Sequence, residues 1–181
     1  MVEGKEASVR EPTAKRSKWV EVRESDIHNK GLFAKREIPE DTRLIEYVGD
    51  KVTKHESERR ANLQDEKGRQ TGDGTVYIFT LNRRFDVDGN VPWNDARYAN
   101  HSCEPNAYTD IVDGQIWIRA SRDIEAGEEI VYDYGFDLES WEENPCRCGE
   151  DRCLGYIVGD AYRSKLKRKL KARAAKSRKK G

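Results

Sequence analysis

The chain has 181 residues, enough for one compact domain with its own core. Its hydrophobic fraction is 35% against 38% charged, so part of it is solvated rather than packed, and no apolar run approaches the ~20 residues that cross a bilayer. The formal net charge is zero, yet residues 162–181 carry 11 Lys/Arg and no Asp/Glu, leaving 23 basic and 34 acidic side chains in the first 161 residues.

Residues 1–18 mix Lys, Glu, Ser and Pro and read as a flexible lead-in, polar and charged where a secretion signal would be apolar. From Trp19 the pattern becomes short strands separated by turn residues. Residues 19–23 alternate, 43–48 form a mixed apolar strand ending at Gly49, and 75–81 are rich in β-branched and aromatic side chains. Between the last two, Thr53 followed three residues later by Glu56 marks a capping box, and a helix is expected to about Lys67. A short helical turn starts at Asn94. Residues 107–112 and 115–120 flank Asp113-Gly114, a two-residue hairpin signal, and 128–132 is a further strand entered through Ala126-Gly127. In the tail, Leu166 and Leu170 stand at i,i+4 spacing, the makings of a marginal helix that forms against a partner. The expected fold class is mainly β (α+β), with one or two peripheral helices.

Four segments carry chemistry. They are His28-Asn29-Lys30-Gly31-Leu32-Phe33-Ala34, then Asn100-His101-Ser102-Cys103-Glu104-Pro105-Asn106, then Glu128-Glu129-Ile130-Val131-Tyr132-Asp133-Tyr134-Gly135, and finally Cys146-Arg147-Cys148-Gly149 with Cys153. Three thiols within eight residues pair awkwardly as disulfides and leave one over. With no secretion signal, a disulfide framework is disfavoured. Cys103, Cys146, Cys148 and Cys153 instead complete a tetrahedral four-thiolate site for one structural zinc ion.

In this order, over about 125 residues, the segments resemble the SET-domain family of protein lysine methyltransferases with its post-SET zinc-binding extension. IEYVGDKVT at 45–53 and YIFTL at 77–81 are also similar to family segments, and the resemblance runs over residues 19–156. It implies several small curved sheets with a knot-like C-terminal segment, a rare exception to unknotted folds, and a zinc-bound post-SET tail. The implied layout is a lead-in at 1–18, a SET domain at 19–136, a post-SET zinc segment at 137–158 and a basic tail at 159–181. No reader domain is recognisable, and the compact layout is similar to free-standing bacterial members as much as to eukaryotic ones.

The implied reaction is transfer of a methyl group from S-adenosylmethionine to the side-chain amine of a protein lysine. Displacement at a sulfonium methyl needs a neutral amine, an aligned methyl and little water. Because the reference lysine pKa is ~10.4, a dry channel of tyrosines suits the task. Tyr134 matches the family's catalytic tyrosine, with its hydroxyl near the sulfonium. Tyr47 matches a tyrosine lining the channel. Tyr132 occupies what resembles a phenylalanine/tyrosine switch position, which implies mono- or dimethylation. Asn100 and His101 match the cofactor-binding pair. His28, Lys30, Gly31 and Leu32 fall on the loop expected to cover the methionine moiety. Asn29 there replaces the family's first glycine, and asparagine tolerates the left-handed backbone. Tyr77 matches a residue packed near the cofactor. Ligation through Cys103 would tie the post-SET tail to the cofactor segment, with Trp141 as an aromatic lid.

An acidic body suits a cationic substrate, and with the resemblance it implies a histone or histone-like basic protein. The basic tail at 162–181 suits nucleic acid, or is simply a solvated end. No membrane association and a monomer are expected. The location is intracellular: nucleus or chromosome in a eukaryote, cytoplasm or nucleoid in a bacterium. Two other classes stay open: a catalytically silent SET-like binding module, and a chromatin or nucleic-acid adaptor working through the tail.

Overall fold

The computed structural model describes residues 17–71, 76–139 and 141–178. Most of the expected lead-in lies outside the described residues. Ser17 does not behave as a lead-in: its hydroxyl donates to the Leu44 carbonyl at 2.5 Å and accepts from the Trp19 amide at 3.0 Å.

The described elements are β1 (Val20–Glu24), β2 (Lys30–Ala34), β3 (Arg43–Tyr47), β4 (Asp50–Thr53), α1 (Lys54–Thr71), β5 (Ile78–Thr80), β6 (Phe85–Asp88), β7 (Asn100–His101), β8 (Ala107–Val112), β9 (Gln115–Ala120), β10 (Glu129–Tyr132) and α2 (Asp160–Arg178). Two short 3-10 turns cover Asp95–Tyr98 and Trp141–Glu143. The larger sheet runs β1-β2-β10-β8-β9-β3 with β7 beside β10, and the smaller runs β4-β6-β5. This is the mainly β architecture with peripheral helices expected from the sequence. Strand β10 is the hub, antiparallel to β2 and parallel to both β7 and β8.

Alternation explains the sheet's core face. Ile116, Ile118 and Ala120 of β9 are buried while their neighbours are not, and they meet Leu32, Ala34, Leu44 and Ile130 in the main core. The β8–β9 hairpin closes through Asp113 at φ 52° and Gly114 at φ 77°, the two positive φ values that a type I′ turn demands.

Strands β2, β4, β6 and β7 lie outside the strands expected from the sequence. Residues 30–34 were expected in a loop, but they form β2, paired on both sides by β1 and β10. Strand β6 has no apolar alternation because Asp86 and Asp88 are themselves buried. Lys54 pairs with Asp86, while Arg60 and Gln64 reach Asp88, each at 3.0 Å. Helix α1 is therefore held to the small sheet by polar side chains rather than by an apolar stripe. Its start follows the capping signal in half: the Glu56 amide donates to Thr53 Oγ1 at 3.3 Å, but the Glu56 carboxylate turns to Arg59 and Arg60 instead of back to Thr53.

The basic tail is a 19-residue helix docked on the preceding segment. Leu166 is 0% exposed and packs with Trp141 and Val158, flanked by Leu138, Leu154, Tyr156 and Leu170. The i,i+4 leucine pair thus finds its partner within the chain, and residues 137–158 and α2 share one small core. Trp141, the expected lid, packs in that core with its ring 4.5 Å from the Tyr156 ring. Among the described residues no helix is long and apolar enough to cross a membrane.

Candidate active site and thiolate cluster

The site forms where β7 meets β10. Asn100 lies opposite Val131 and His101 opposite Tyr132, so two segments about thirty residues apart in sequence run side by side. Buried Asn106 clamps them. Its Oδ1 accepts from the Val131 amide at 2.9 Å, and its Nδ2 donates to the Glu129 carbonyl at 2.7 Å and to the Glu128 carboxylate at 2.8 Å. An amide side chain offers both donor and acceptor, so this one residue, five past His101, holds both an amide and a carbonyl of the β10 strand.

Beyond β10 the chain turns back over β7. The Tyr134 amide donates to His101 Nδ1 at 3.3 Å, and the Tyr134 hydroxyl donates to the Ala99 carbonyl at 3.1 Å. The Tyr134 ring lies 4.9 Å from Tyr132, 5.3 Å from His101 and 5.6 Å from Phe136. Tyr47 arrives from β3, buried, with its hydroxyl donating to the Tyr77 carbonyl at 2.9 Å and its ring 5.4 Å from Phe79. Burial pushes the hydroxyl pKa values of Tyr47, Tyr132 and Tyr134 well above the ordinary phenol value, and mutual repulsion among these phenols and Tyr77 adds to it. At neutral pH all three are protonated hydroxyls, suited to orient an uncharged group and unsuited to act as bases.

Asn100 anchors a second polar group. Its Nδ2 donates to the Lys30 carbonyl at 3.0 Å, to Glu129 Oε1 at 2.7 Å and to Ser25 Oγ at 3.2 Å, while Ser25 Oγ donates to the same carboxylate at 2.8 Å. Gly31 is explained by this cluster, because a Cβ there would stand 2.3 Å from Glu129 Oε1. Asn29 sits at φ 34°, in the left-handed half of backbone space that its residue type allows.

His101 connects the tyrosines to the cysteines. Its Nδ1 accepts from Tyr134, so the ring proton belongs on Nε2, which points at Cys103 Sγ 3.7 Å away. Burial lowers the His101 pKa, with Asp133 partly opposing, and the ring is neutral. Cys103 Sγ lies 3.9 Å from Cys146 Sγ, and the sulfurs of Cys103, Cys146, Cys148 and Cys153 all lie within 4.8 Å of one another. Tetrahedral thiolates at a Zn–S distance of ~2.3 Å stand ~3.8 Å apart, so the donor set and spacing fit a four-coordinate ion. Burial raises the Cys103 thiol to about 11. Cys148 moves the other way: burial opposes its thiolate, but the Cys103 and Glu150 amides favour it. Crowded thiols of this kind ionise together only when a cation offsets their charge.

A cavity of about 280 Å³ opens beside the cluster, between His101, Cys103 and Asp133 on one side and Arg152, Asp160 and Arg163 on the other. The start of α2 is fastened here: the Asp160 amide donates to Asp133 Oδ2 at 2.7 Å and the Gly159 amide to the Phe136 carbonyl at 2.8 Å. A larger open depression of about 630 Å³ around residues 37–39 and 122–128 contains none of the tyrosines.

The sequence-derived residues Tyr47, Tyr77, Tyr132, Tyr134, Asn100 and His101 lie in this one region, and Lys30 and Gly31 adjoin it through Asn100. The Leu32 side chain is fully buried in the main core, which leaves its backbone as the part that could meet a ligand. His28 is half-buried in the bend before β2. Sequence reasoning missed Ser25, Glu129, Asn106 and Phe136. Asn106 and Glu129 stood inside quoted motifs, and for Glu129 a carboxylate at the head of the apolar Ile130-Val131 strand was the available signal. Ser25 carried none.

The family model for the SET domain matches residues 29–135, and the chain belongs to that family. It is 40% identical over 149 residues to a "Histone-lysine N-methyltransferase, H3 lysine-4 specific" of Chaetomium globosum, covering 79% of this chain and 14% of that protein. It is 38% identical over 143 residues to "Histone-lysine N-methyltransferase trithorax" of Drosophila virilis, covering 77% of this chain and 4% of that protein. It is 37% identical over 158 residues to "Histone-lysine N-methyltransferase ATXR7" of Arabidopsis thaliana, covering 85% and 11%. The chain thus spans only a small part, 14% or less, of the length of these three relatives.

Proposed function

We propose that this chain is an S-adenosylmethionine-dependent protein-lysine N-methyltransferase that places one or two methyl groups on a lysine of a histone or histone-like basic protein. The observation that carries the reading is the convergence of Tyr47, Tyr132 and Tyr134, as desolvated and protonated phenols, on the strand pair that holds Asn100 and His101. The substrate class is supported by the acidic body and by the names of the relatives, each a histone-lysine N-methyltransferase.

S-adenosylmethionine, when bound, supplies a methyl group made electrophilic by its sulfonium. Asn100, His101, Lys30 and Gly31 are the residues that would hold it. The tyrosine rings exclude water, which lowers the pKa of an entering lysine and favours its neutral amine. The hydroxyls then orient that amine. The Tyr134 hydroxyl spends its proton on the Ala99 carbonyl, so its lone pairs are left to accept from that amine. The Tyr132 hydroxyl occupies volume that further methyl groups would need, hence the limit to mono- or dimethylation. The four cysteines would hold zinc as a structural ion with every position filled by protein, joining the post-SET segment to the His101 strand.

The deciding experiment incubates the purified chain with labelled S-adenosylmethionine and core histones, and maps product by mass spectrometry. Transfer to lysine is expected, and Tyr134→Phe should reduce it by about 10²–10³-fold while leaving S-adenosylmethionine affinity intact. Full activity in that variant removes Tyr134 from its assigned role. Binding of S-adenosylmethionine without transfer to any histone or basic peptide would leave a silent binding module as the better account.

A further inference from the structure

Helix α2 presents a surface that the proposed reaction does not use. From Ala161 to Arg178 it contains no acidic residue. Leu166 and Leu170 turn one stripe to the small core, which fixes the rotation of the helix on the body. Lys165, Lys167, Arg168, Lys169, Lys171 and Lys176 occupy the rest of the circumference, all exposed. Among the described residues none of the six has a hydrogen-bond or ion-pair partner. The basic residues of α2 that do engage the body are Arg173, paired with Glu142, and Arg163, which donates to the Arg152 carbonyl.

The six cations stay unneutralised although the body carries an excess of acidic side chains. They lie along roughly 16 Å of helix, where a duplex carries one charge per ~1.7 Å. Five of the six are Lys, which meets phosphate as a point charge rather than through a bidentate fork, so phosphate attraction dominates. We infer that α2 is a docking surface for the phosphate backbone of duplex DNA, with backbone contacts supplying most of the affinity. The first 161 residues, with 23 basic and 34 acidic side chains, repel the same polyanion, so binding is confined to the basic C-terminal end.

The test measures binding of the full chain to an arbitrary 20-base-pair duplex by fluorescence anisotropy across a salt series. With up to six phosphates neutralised, log K should fall against log salt with a slope of roughly −4 to −5. Changing Lys165, Lys167, Arg168, Lys169, Lys171 and Lys176 to Gln keeps helix propensity and should abolish binding, with helical circular dichroism and transfer to a free peptide unchanged. Should that variant misfold, lysine-acetylation footprinting of the native chain serves instead: the duplex should protect the α2 lysines and no others. A folded six-fold variant that binds as well as the native chain overturns the inference. So does protection elsewhere, a flat salt response, or tighter binding to phosphatidylserine vesicles than to DNA.

Discussion

Gly89→Ala tests the placement of Tyr47 without touching the phenol itself. Gly89 lacks a positive φ, so alanine is acceptable to the backbone. The added Cβ would nonetheless stand 2.4 Å from Tyr47 Oη, 2.5 Å from Tyr47 Cε1 and 2.5 Å from Asn94 Nδ2. Neither neighbour yields easily. Asn94 is fully buried, donates to the Gly89 carbonyl at 3.0 Å and accepts from the Val48 amide at 3.3 Å. Tyr47 is held on the Tyr77 carbonyl, which also accepts from the Gly89 amide at 2.8 Å. Restoring ordinary contact requires the phenol to move by about an ångström. Overpacking costs ~1–3 kcal/mol and a weakened Tyr47–Tyr77 bond ~0.5–1.5 kcal/mol, or roughly 2–4 kcal/mol together. For a domain of this size that lowers Tm by roughly 4–16 °C. If Tyr47 lines the lysine channel, kcat/KM should fall about 10²-fold, the usual penalty for a misplacement of that size.

Calorimetry and a peptide methylation assay read the two arms separately. Tyr47→Phe alone should cost little, near 0.5 kcal/mol, since the Tyr77 carbonyl keeps its second donor. In the double variant the closest clash is gone, and the combined destabilisation should undershoot the sum by about 1 kcal/mol. A Gly89→Ala protein within about 1 °C of the native Tm, or strict additivity in the cycle, would refute the packing argument. Native stability loss with undiminished methylation would instead remove Tyr47 from the channel.

Three further outcomes are expected. Tyr132→Phe should shift the product toward higher methylation states, read by mass spectrometry of a peptide driven to completion; an unchanged distribution removes Tyr132 from product control. Cys103→Ser should cut zinc content from about one ion per chain toward zero by elemental analysis and raise hydrogen exchange at 146–153; retained stoichiometry would mean that Cys103 is not a ligand. Leu166→Ala should cost ~2–3 kcal/mol, the lower end for a buried leucine because the small core collapses readily, and should release α2 to exchange while the main sheet stays protected; α2 protection equal to native would show that the helix is held by other contacts.

Much of this molecule is legible along the chain, wherever cause and effect are close in sequence. The β8–β9 hairpin follows from Asp113-Gly114, the start of α1 from Thr53, and the four-sulfur grouping from the crowding of three cysteines with a fourth upstream. The tyrosines and the Asn100-His101 pair were identified through motif resemblance, which reports local segments well. Where the cause lay in a distant partner, the reading failed. Residues 30–34 looked like a loop because their strand character comes from β1 and β10 on either side. Strand β6 was hidden because its buried aspartates are stabilised by Lys54, Arg60 and Gln64 of a helix elsewhere.

Local composition and spacing specify an inventory: a mainly β domain, a set of phenols, a cluster of thiols and a cationic end. How these parts meet is settled by the folded chain. It placed Leu166 against Trp141 and so turned a tail into a docked helix, withdrew Leu32 into the core, and set Glu129 against Asn100 and Ser25. These are consequences of which surfaces exclude water from one another, and that depends on residues far apart in the chain meeting in space, which no local pattern encodes.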